Sequence, residues 1–266
     1  AAEKALASAG ISADQVGFVL VATVTHPYPT PSASAEVAYR LGATNAGATD
    51  ISSACAGFCY GLAMAQDMVR GGSATYVVLV GVEKLTDWID LHDRSTGFIF
   101  ADGAGAVVVG PSDEAAIGPV VWGSDGSQLD AISMTQSLID YRDNGGPRFP
   151  TLVMKGQQVF RWAVSKMAVA SQEALDRAGV TADQLDAFIP HQANMRITDA
   201  MIRALHLPEH VAVARDIETT GNTSAASVPI AMDRMLSTGE APHGGTALLI
   251  GFGAGLAYAA QVVTLP

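Results

Sequence analysis

A chain of 266 residues that is 49% hydrophobic and only 15% charged can bury a large core in one or two tightly joined domains. Its net charge of −11 argues against nucleic acid as a partner. The longest apolar runs, "YVVLVGV" and "FVLVAT", are strand-sized, far below the roughly 20 residues of a membrane-spanning helix.

In chain order, "ALASAGISADQVGFVLV" (residues 5–21) reads as a helix stopped by a glycine, a short turn and a buried strand. Thr30 follows in "PYPTPSASA", between two prolines that hold it extended. "DISSACAGF" then leads from a β-branched stretch through small residues into a helical run, with Cys55 at the handover. A cysteine at a helix N-terminus meets the positive end of the dipole and free N–H groups, which favour the thiolate. Cys59, one helical turn on, reads as packing. Two cysteines make no disulfide framework, so a reducing cytoplasm is the default, and no Cys/His cluster has zinc spacing, so no metal is expected. "YVVLVGVE" is a further buried strand. The segment Gly123–Pro150, with "YRDNGGPRFP", has weak periodicity and reads as a long connection or flap outside the sheet. The helix "GQQVFRWAVSKMAVASQEAL" precedes "IPHQAN" around His191, "TTGNTSAAS" around Asn222 and the strand "ALLIGFGAG".

Part of this order is a repeat. Residues 5–21 and 174–190 share seven of seventeen positions, among them Gly10/Gly179 and Ala13-Asp14-Gln15/Ala182-Asp183-Gln184. "DISSACAGF" is echoed by "DIETTGNTSAAS", and "YVVLVGVE" by "ALLIGFGAG". Three echoes in register indicate a duplicated α/β unit, with halves at 1–112 and 113–266. The first copy starts in mid-helix at Ala1, so an N-terminal segment carrying a first strand is expected ahead of it.

The motifs "SSACAGF", "FADGAGA", "PHQANMRI", "GNTSAAS" and "GFGAGLAYAA" together closely resemble β-ketoacyl-acyl-carrier-protein synthase III, a condensing enzyme of fatty-acid synthesis. The resemblance implies a thiolase-like, five-layered αβαβα fold built from the duplicated unit and assembled as a homodimer. Its implied substrates are an acyl-coenzyme A primer and malonyl-acyl-carrier protein, with no cofactor besides the coenzyme A carried by the substrate. Cys55 is then the acyl-accepting nucleophile. His191 and Asn222 stabilise the enolate left when malonyl loses CO2. The backbone N–H groups of Cys55 and Ala254 form the oxyanion hole. By the same resemblance the pantetheine tunnel is lined by Met154, Gly156, Phe160, Ala193, Asn194 and Phe252. The carrier protein meets Gln192, Ala193, Asn194, Met195 and Arg196, together with Arg161 and Arg203. Thr30 of one subunit closes the acyl pocket of the other, with less bulk than an aromatic. Family residues that hold the coenzyme A adenine and phosphates fall before Ala1. A sister enzyme of secondary metabolism on the same fold is the alternative; a papain-like Cys…His…Asn protease is disfavoured by the residues around Cys55.

Overall fold

The computed structural model describes residues 1–266. In the first half α1 (Ala2–Ala9), β1 (Val16–Ala22), α2 (Ala33–Leu41), β2 (Gly47–Ile51), α3 (Gly57–Arg70), β3 (Tyr76–Lys84) and β4 (Asp102–Val109) follow one another. The second half comprises β5 (Val121–Ser124), β6 (Ile132–Met134), α4 (Leu138–Asn144), β7 (Leu152–Met154), α5 (Gly156–Ala178), β8 (Ala187–Pro190) and α6 (Met195–Ala204). It ends with β9 (Ala212–Val213), α7 (Ile217–Thr220), α8 (Ser227–Thr238), β10 (Thr246–Gly253) and β11 (Ala257–Thr264). One sheet runs β2-β1-β3-β4 and the other β5-β11-β10-β8-β9, each parallel in its centre with antiparallel strands at one side.

Strand alternation explains the stacking. Side chains of a strand point to opposite faces in turn, so a strand apolar throughout must be covered on both. In β3, Val77 and Leu79 enter the core between the two sheets, while Val78 and Val80 enter the core under α1 and α2. In β10, Ala247 and Leu249 face the same central core, while Leu248, Ile250 and Phe252 face α5 and α6. Helices α3 and α8 fill the space between the sheets. The result is the expected five layers, helix–sheet–helix–sheet–helix. No helix is long and apolar enough to cross a membrane.

The sequence repeat is a structural one. Both α1 and α5 end at a left-handed glycine, Gly10 at φ 66° and Gly179 at φ 67°, each followed by a 3₁₀ turn closed by a capping box. A residue with a Cβ is strained at such a φ, which is why glycine stands at both stops. Leu20 of β1 pairs with Leu79 of β3, and Ile189 of β8 with Leu249 of β10. The two halves therefore superpose β3 on β10.

The Gly123–Pro150 segment differs from its expectation as a connection outside the sheet. Gly123 and Ser124 belong to β5 and pair with Tyr258 and Ala257 of β11. Only four residues of that strand are in register, and one is a glycine lying against the Tyr258 ring, too little for an alternating pattern to be read. Beyond Ser124 the chain does leave the sheet, through β6 and α4, and β6 pairs with β7 in a two-stranded ribbon.

Candidate active site

Cys55 and His191 sit where a strand ends and the next element begins, at the carboxyl edge where open α/β sheets bind ligands, and Asn222 follows α7 through Gly221. Cys55 lies in the 3₁₀ turn Ala54–Ala56 that joins β2 to α3. Ala54 before it is held at φ 44°, a left-handed conformation that costs a residue with a Cβ energy and turns the next side chain out of line. The matching turn in the other half, Ser224–Ala226, opens with Ser224 at φ 50°. Ser224 is thus the counterpart of Ala54, and Ala225 that of Cys55. Asn222 belongs to the same turn region but stands three residues ahead of the nucleophile's own counterpart.

Space for the thiol comes from β10. At Gly253 a Cβ would lie 2.8 Å from the Cys55 Cβ and 2.9 Å from its Sγ, so only glycine fits. The superposed position in β3 is Glu83, whose side chain reaches Ser224. One half of the duplication thus carries a carboxylate where the other leaves room for a nucleophile.

His191 follows β8 directly, its N–H bonded to the Ile250 carbonyl at 2.7 Å. Its Nδ1 lies 2.7 Å from the Ser227 hydroxyl, which also accepts the Gln192 N–H at 3.3 Å. The hydroxyl proton has no other acceptor, so hydrogen-bond accounting directs it to Nδ1 and leaves the imidazole proton on Nε2. Burial pulls the His191 pKa down to about 3, so the ring is neutral at physiological pH. The edge of the ring meets Phe252, with centroids 5.3 Å apart at 78°. Asn222 is held by its backbone, which bonds to Ile99 and Ala101, and its Oδ1 accepts the Ser224 N–H at 2.9 Å. With the oxygen committed, the amide presents its Nδ2 donor. His191 and Asn222 both offer neutral N–H groups.

Cys55, His191 and Asn222 line a single cavity of about 1060 Å³. Met154, Gly156, Phe160, Ala193, Asn194, Phe252 and Ala254 line it too. The N–H groups of Cys55 and Ala254 donate to no backbone carbonyl, and Ala254 has no left-handed φ to strain it. The deep end is apolar, with Leu85, Trp88, Phe100 and Leu152; Arg161 and Arg196 also line the cavity. Ser133, Met134 and Leu138, from the excursion between β5 and β7, form part of the wall.

Two expectations change. First, the Cys55 thiol is not poised as a thiolate. Burial pushes its pKa up to about 12, and the carboxylate of Glu83 adds to the rise while the Ser224 hydroxyl opposes it. Secondly, Gln192 is 1% exposed and cannot reach a carrier protein. Its amide instead bonds the carbonyls of Pro190 and Ala214 and the N–H of Ile217, tying β8 to the strand and helix beside it. Thr30, expected to act on the other subunit's pocket, is exposed and does not line the cavity of its own chain.

Sequence reading passed over Glu83, Ser224 and Ser227. The signals were a charged residue closing the buried run "YVVLVGVE" and two hydroxyls inside the quoted motif "GNTSAAS".

Known proteins resemble the chain over its whole length. The family model for 3-oxoacyl-[acyl-carrier-protein] synthase III matches residues 49–126, and that for the C-terminal part of this synthase matches 175–265. A β-ketoacyl-[acyl-carrier-protein] synthase III of Streptomyces glaucescens is 60% identical over all of this chain and 80% of its own length. The chain belongs to the β-ketoacyl-acyl-carrier-protein synthase III family. A relative from Streptomyces coelicolor is 58% identical over all of this chain and 80% of its own. Among solved structures, the priming β-ketosynthase of the R1128 polyketide pathway superposes with a TM-score of 0.98 at 51% identity, covering 100% of this chain and 80% of that one. The 3-oxoacyl-(acyl carrier protein) synthase III of Pseudomonas aeruginosa gives 0.90 at 39%, covering 100% and 81%. Membership makes the chain an acyltransferase of the condensing type with the thiolase-like fold.

Proposed function

We propose that the chain joins an acyl-coenzyme A primer to malonyl-acyl-carrier protein by decarboxylative condensation. The observation that carries this reading is the convergence of one thiol and two neutral N–H donors on one cavity. Cys55 attacks the primer thioester, and the free N–H groups of Cys55 and Ala254 receive the oxyanion of the tetrahedral intermediate. Coenzyme A leaves and malonyl-carrier protein takes its place. Loss of CO2 puts negative charge on the malonyl thioester oxygen, where the Nε2–H of His191 and the Nδ2–H of Asn222 stabilise it. The carbanion attacks the acyl-cysteine and releases the β-ketoacyl product. A neutral imidazole suits this role, since it remains a donor throughout.

The docking face for the carrier comprises α5 and α6. Eight of the fifteen Lys and Arg side chains are in ion pairs. Four of the seven that are not (Arg161, Lys166, Arg196 and Arg203) lie exposed on these two neighbouring helices. On a chain of charge −11 they attract an acidic partner to one place. The assembly is a homodimer in which Thr30 reaches the partner's pocket, and a cytoplasmic location fits the two free thiols.

Cys55→Ser should abolish acylation by acyl-coenzyme A, read by intact mass. His191→Ala or Asn222→Ala should leave acylation and cut CO2 release from malonyl-carrier protein by about 10²–10³-fold each. If His191→Ala blocks acylation as fully as the cysteine variant, this division of labour is wrong. Similarity to the polyketide priming synthase favours a second reading, in which the product primes a polyketide. The primer and carrier preferred in competition separate the two.

A further inference from the structure

His191 and Asn222 must present their N–H groups to one oxygen, yet their backbones are anchored to different halves of the molecule. His191 follows β8, its main-chain N–H on the Ile250 carbonyl of the second sheet. Asn222 is fixed to the first half, its N–H on the Ile99 carbonyl at 2.8 Å and its carbonyl taking the Ala101 N–H at 2.9 Å. The segment leading into Asn222 is poorly able to hold itself. Helix α7 has four residues, far below the length at which a helix is stable alone. Asp216, its N-cap, makes no side-chain cap, and Gly221 at φ 68° is a glycine joint between the helix and Asn222.

Gln192 supplies what α7 lacks. Its Oε1 accepts the Ile217 N–H at 3.1 Å, the first amide of the helix and one with no intrahelical partner. Its Nε2 donates to the Ala214 carbonyl at 3.3 Å and to the Pro190 carbonyl at 2.7 Å, the latter in the last residue of β8. Two carbonyls and one N–H around the amide leave it a single orientation, since a flip would set donor against donor and acceptor against acceptor. Backbone bonding from β8 to this segment stops at Ala214, whose N–H meets the Phe188 carbonyl at 3.0 Å. From there to Asn222, the Gln192 side chain alone continues the link to β8. A second tether, Arg234 Nε on Asp216 Oδ1 at 2.6 Å, runs to α8 instead. The main-chain N–H of Gln192 bonds the Ser227 hydroxyl that also meets His191 Nδ1. Gln192 therefore touches both arms of the site without lining the cavity.

We infer that Gln192 is a positioning residue for decarboxylation: by holding the head of α7 to the end of β8, it sets the Asn222 Nδ2 donor against the His191 Nε2 donor. The inference rests on the condensing reading above. Two donors serve one thioester oxygen only when both lie within hydrogen-bond range of it, and a misplacement of about 1 Å in one of them costs about 10²-fold in rate. Substitution of Gln192 removes the side-chain tether and keeps the main-chain bond to Ser227, so the Asn222 arm is lost while the His191 arm stays. Acylation draws on Cys55 and the N–H groups beside it, none of which the amide touches.

The test reads the two half-reactions separately on the protein as purified, with decarboxylation followed on enzyme alkylated at Cys55. Gln192→Ala should lower kcat for CO2 release from malonyl-carrier protein by about 10²-fold and leave its KM within about twofold, because the exposed cations of α5 and α6 are untouched. Acylation by acetyl-coenzyme A should stay within about threefold of wild type. In the Asn222→Ala background the same substitution should cost less than about threefold, and in the His191→Ala background it should keep most of its effect. A loss undiminished in the Asn222→Ala background, equal losses in both half-reactions, or decarboxylation within about threefold of wild type overturns this role. Hydrogen exchange on wild-type protein supplies an arm that needs no variant to fold. The Ile217 N–H should exchange at least about 10²-fold more slowly than an unprotected amide, and exchange at the open-chain rate overturns the tether. Wild-type protein that releases no CO2 from malonyl-carrier protein overturns the condensing reading and the role of Gln192 with it, whereas an unprotected Ile217 N–H overturns that role alone.

Discussion

At His191 a buried neutral ring links folding to acid. Its folded pKa is near 3 against an ordinary 6.5. Between those values the unfolded chain binds a proton and the folded chain does not, so the stability present above pH 6.5 is lost as pH falls toward 3. The full window is worth on the order of 5 kcal/mol. Glu83 runs the other way, since burial raises its carboxyl, so the readout is the difference between proteins. Urea unfolding of wild type and His191→Gln from pH 7 to pH 4 should show the steeper fall in wild type; parallel curves would refute the burial argument. At Cys55, thiolate absorbance near 240 nm should be absent at pH 8, and its presence would mean that the turn's dipole prevails over desolvation. Gly253→Ala places a methyl 2.8 Å from the Cys55 Cβ. It should cost about 1–3 kcal/mol of stability by overpacking and stop acylation; full activity would mean that β10 yields.

Elements repeat their local devices in both halves. Ser12 with Gln15 and Thr181 with Gln184 close the same box, each glutamine Oε1 accepting the backbone N–H and the hydroxyl of its partner at 2.9–3.0 Å. Ser12→Ala or Thr181→Ala should each lower stability by about 1 kcal/mol, measured by denaturant midpoint at unchanged m. Helices α5 and α6 act together in another sense, through their exposed cations. Arg196→Glu with Arg203→Glu should raise KM for malonyl-carrier protein several-fold and flatten its dependence on ionic strength. A KM unmoved by either charge reversal would leave these arginines as ordinary solvated side chains.

Across the whole molecule the duplication divides labour between halves. The first half supplies Cys55, the second His191 and Asn222, and the cavity opens where the two sheets' carboxyl edges meet. In the proposed homodimer the pocket's end wall comes from the partner's Thr30. Thr30 stands on an exposed tip with Tyr28 66% exposed beside it, apolar surface suited to burial against a second copy. Thr30→Phe should lower kcat/KM for isobutyryl-coenzyme A relative to acetyl-coenzyme A, by clash with the longer primer. An unchanged ratio would place the length limit within the chain, at Leu85, Trp88 or Phe100.

Local chemistry made much of this legible from the residues. Glycine stops, alternating apolar runs and small-residue turns each act over a few neighbours, so the duplicated unit and the turn carrying Cys55 could be read directly. The "GNTSAAS" and "PHQAN" motifs named Asn222 and His191 by resemblance, without saying which atom of each would face the substrate. That answer needed partners distant in sequence. Ser227, thirty-six positions from His191, sets the imidazole tautomer, and Glu83 meets Ser224 across one hundred and forty-one. Gln192 looked like a surface residue within a docking motif until folding buried it among the backbone carbonyls it bonds. The Cys55 thiol looked activated by its helix until burial raised its pKa. Periodicity and turn chemistry are properties of neighbours along the chain. Burial, proton position and the pairing of Glu83 with Ser224 depend on desolvation and on contacts between halves, which exist only once the layers have closed.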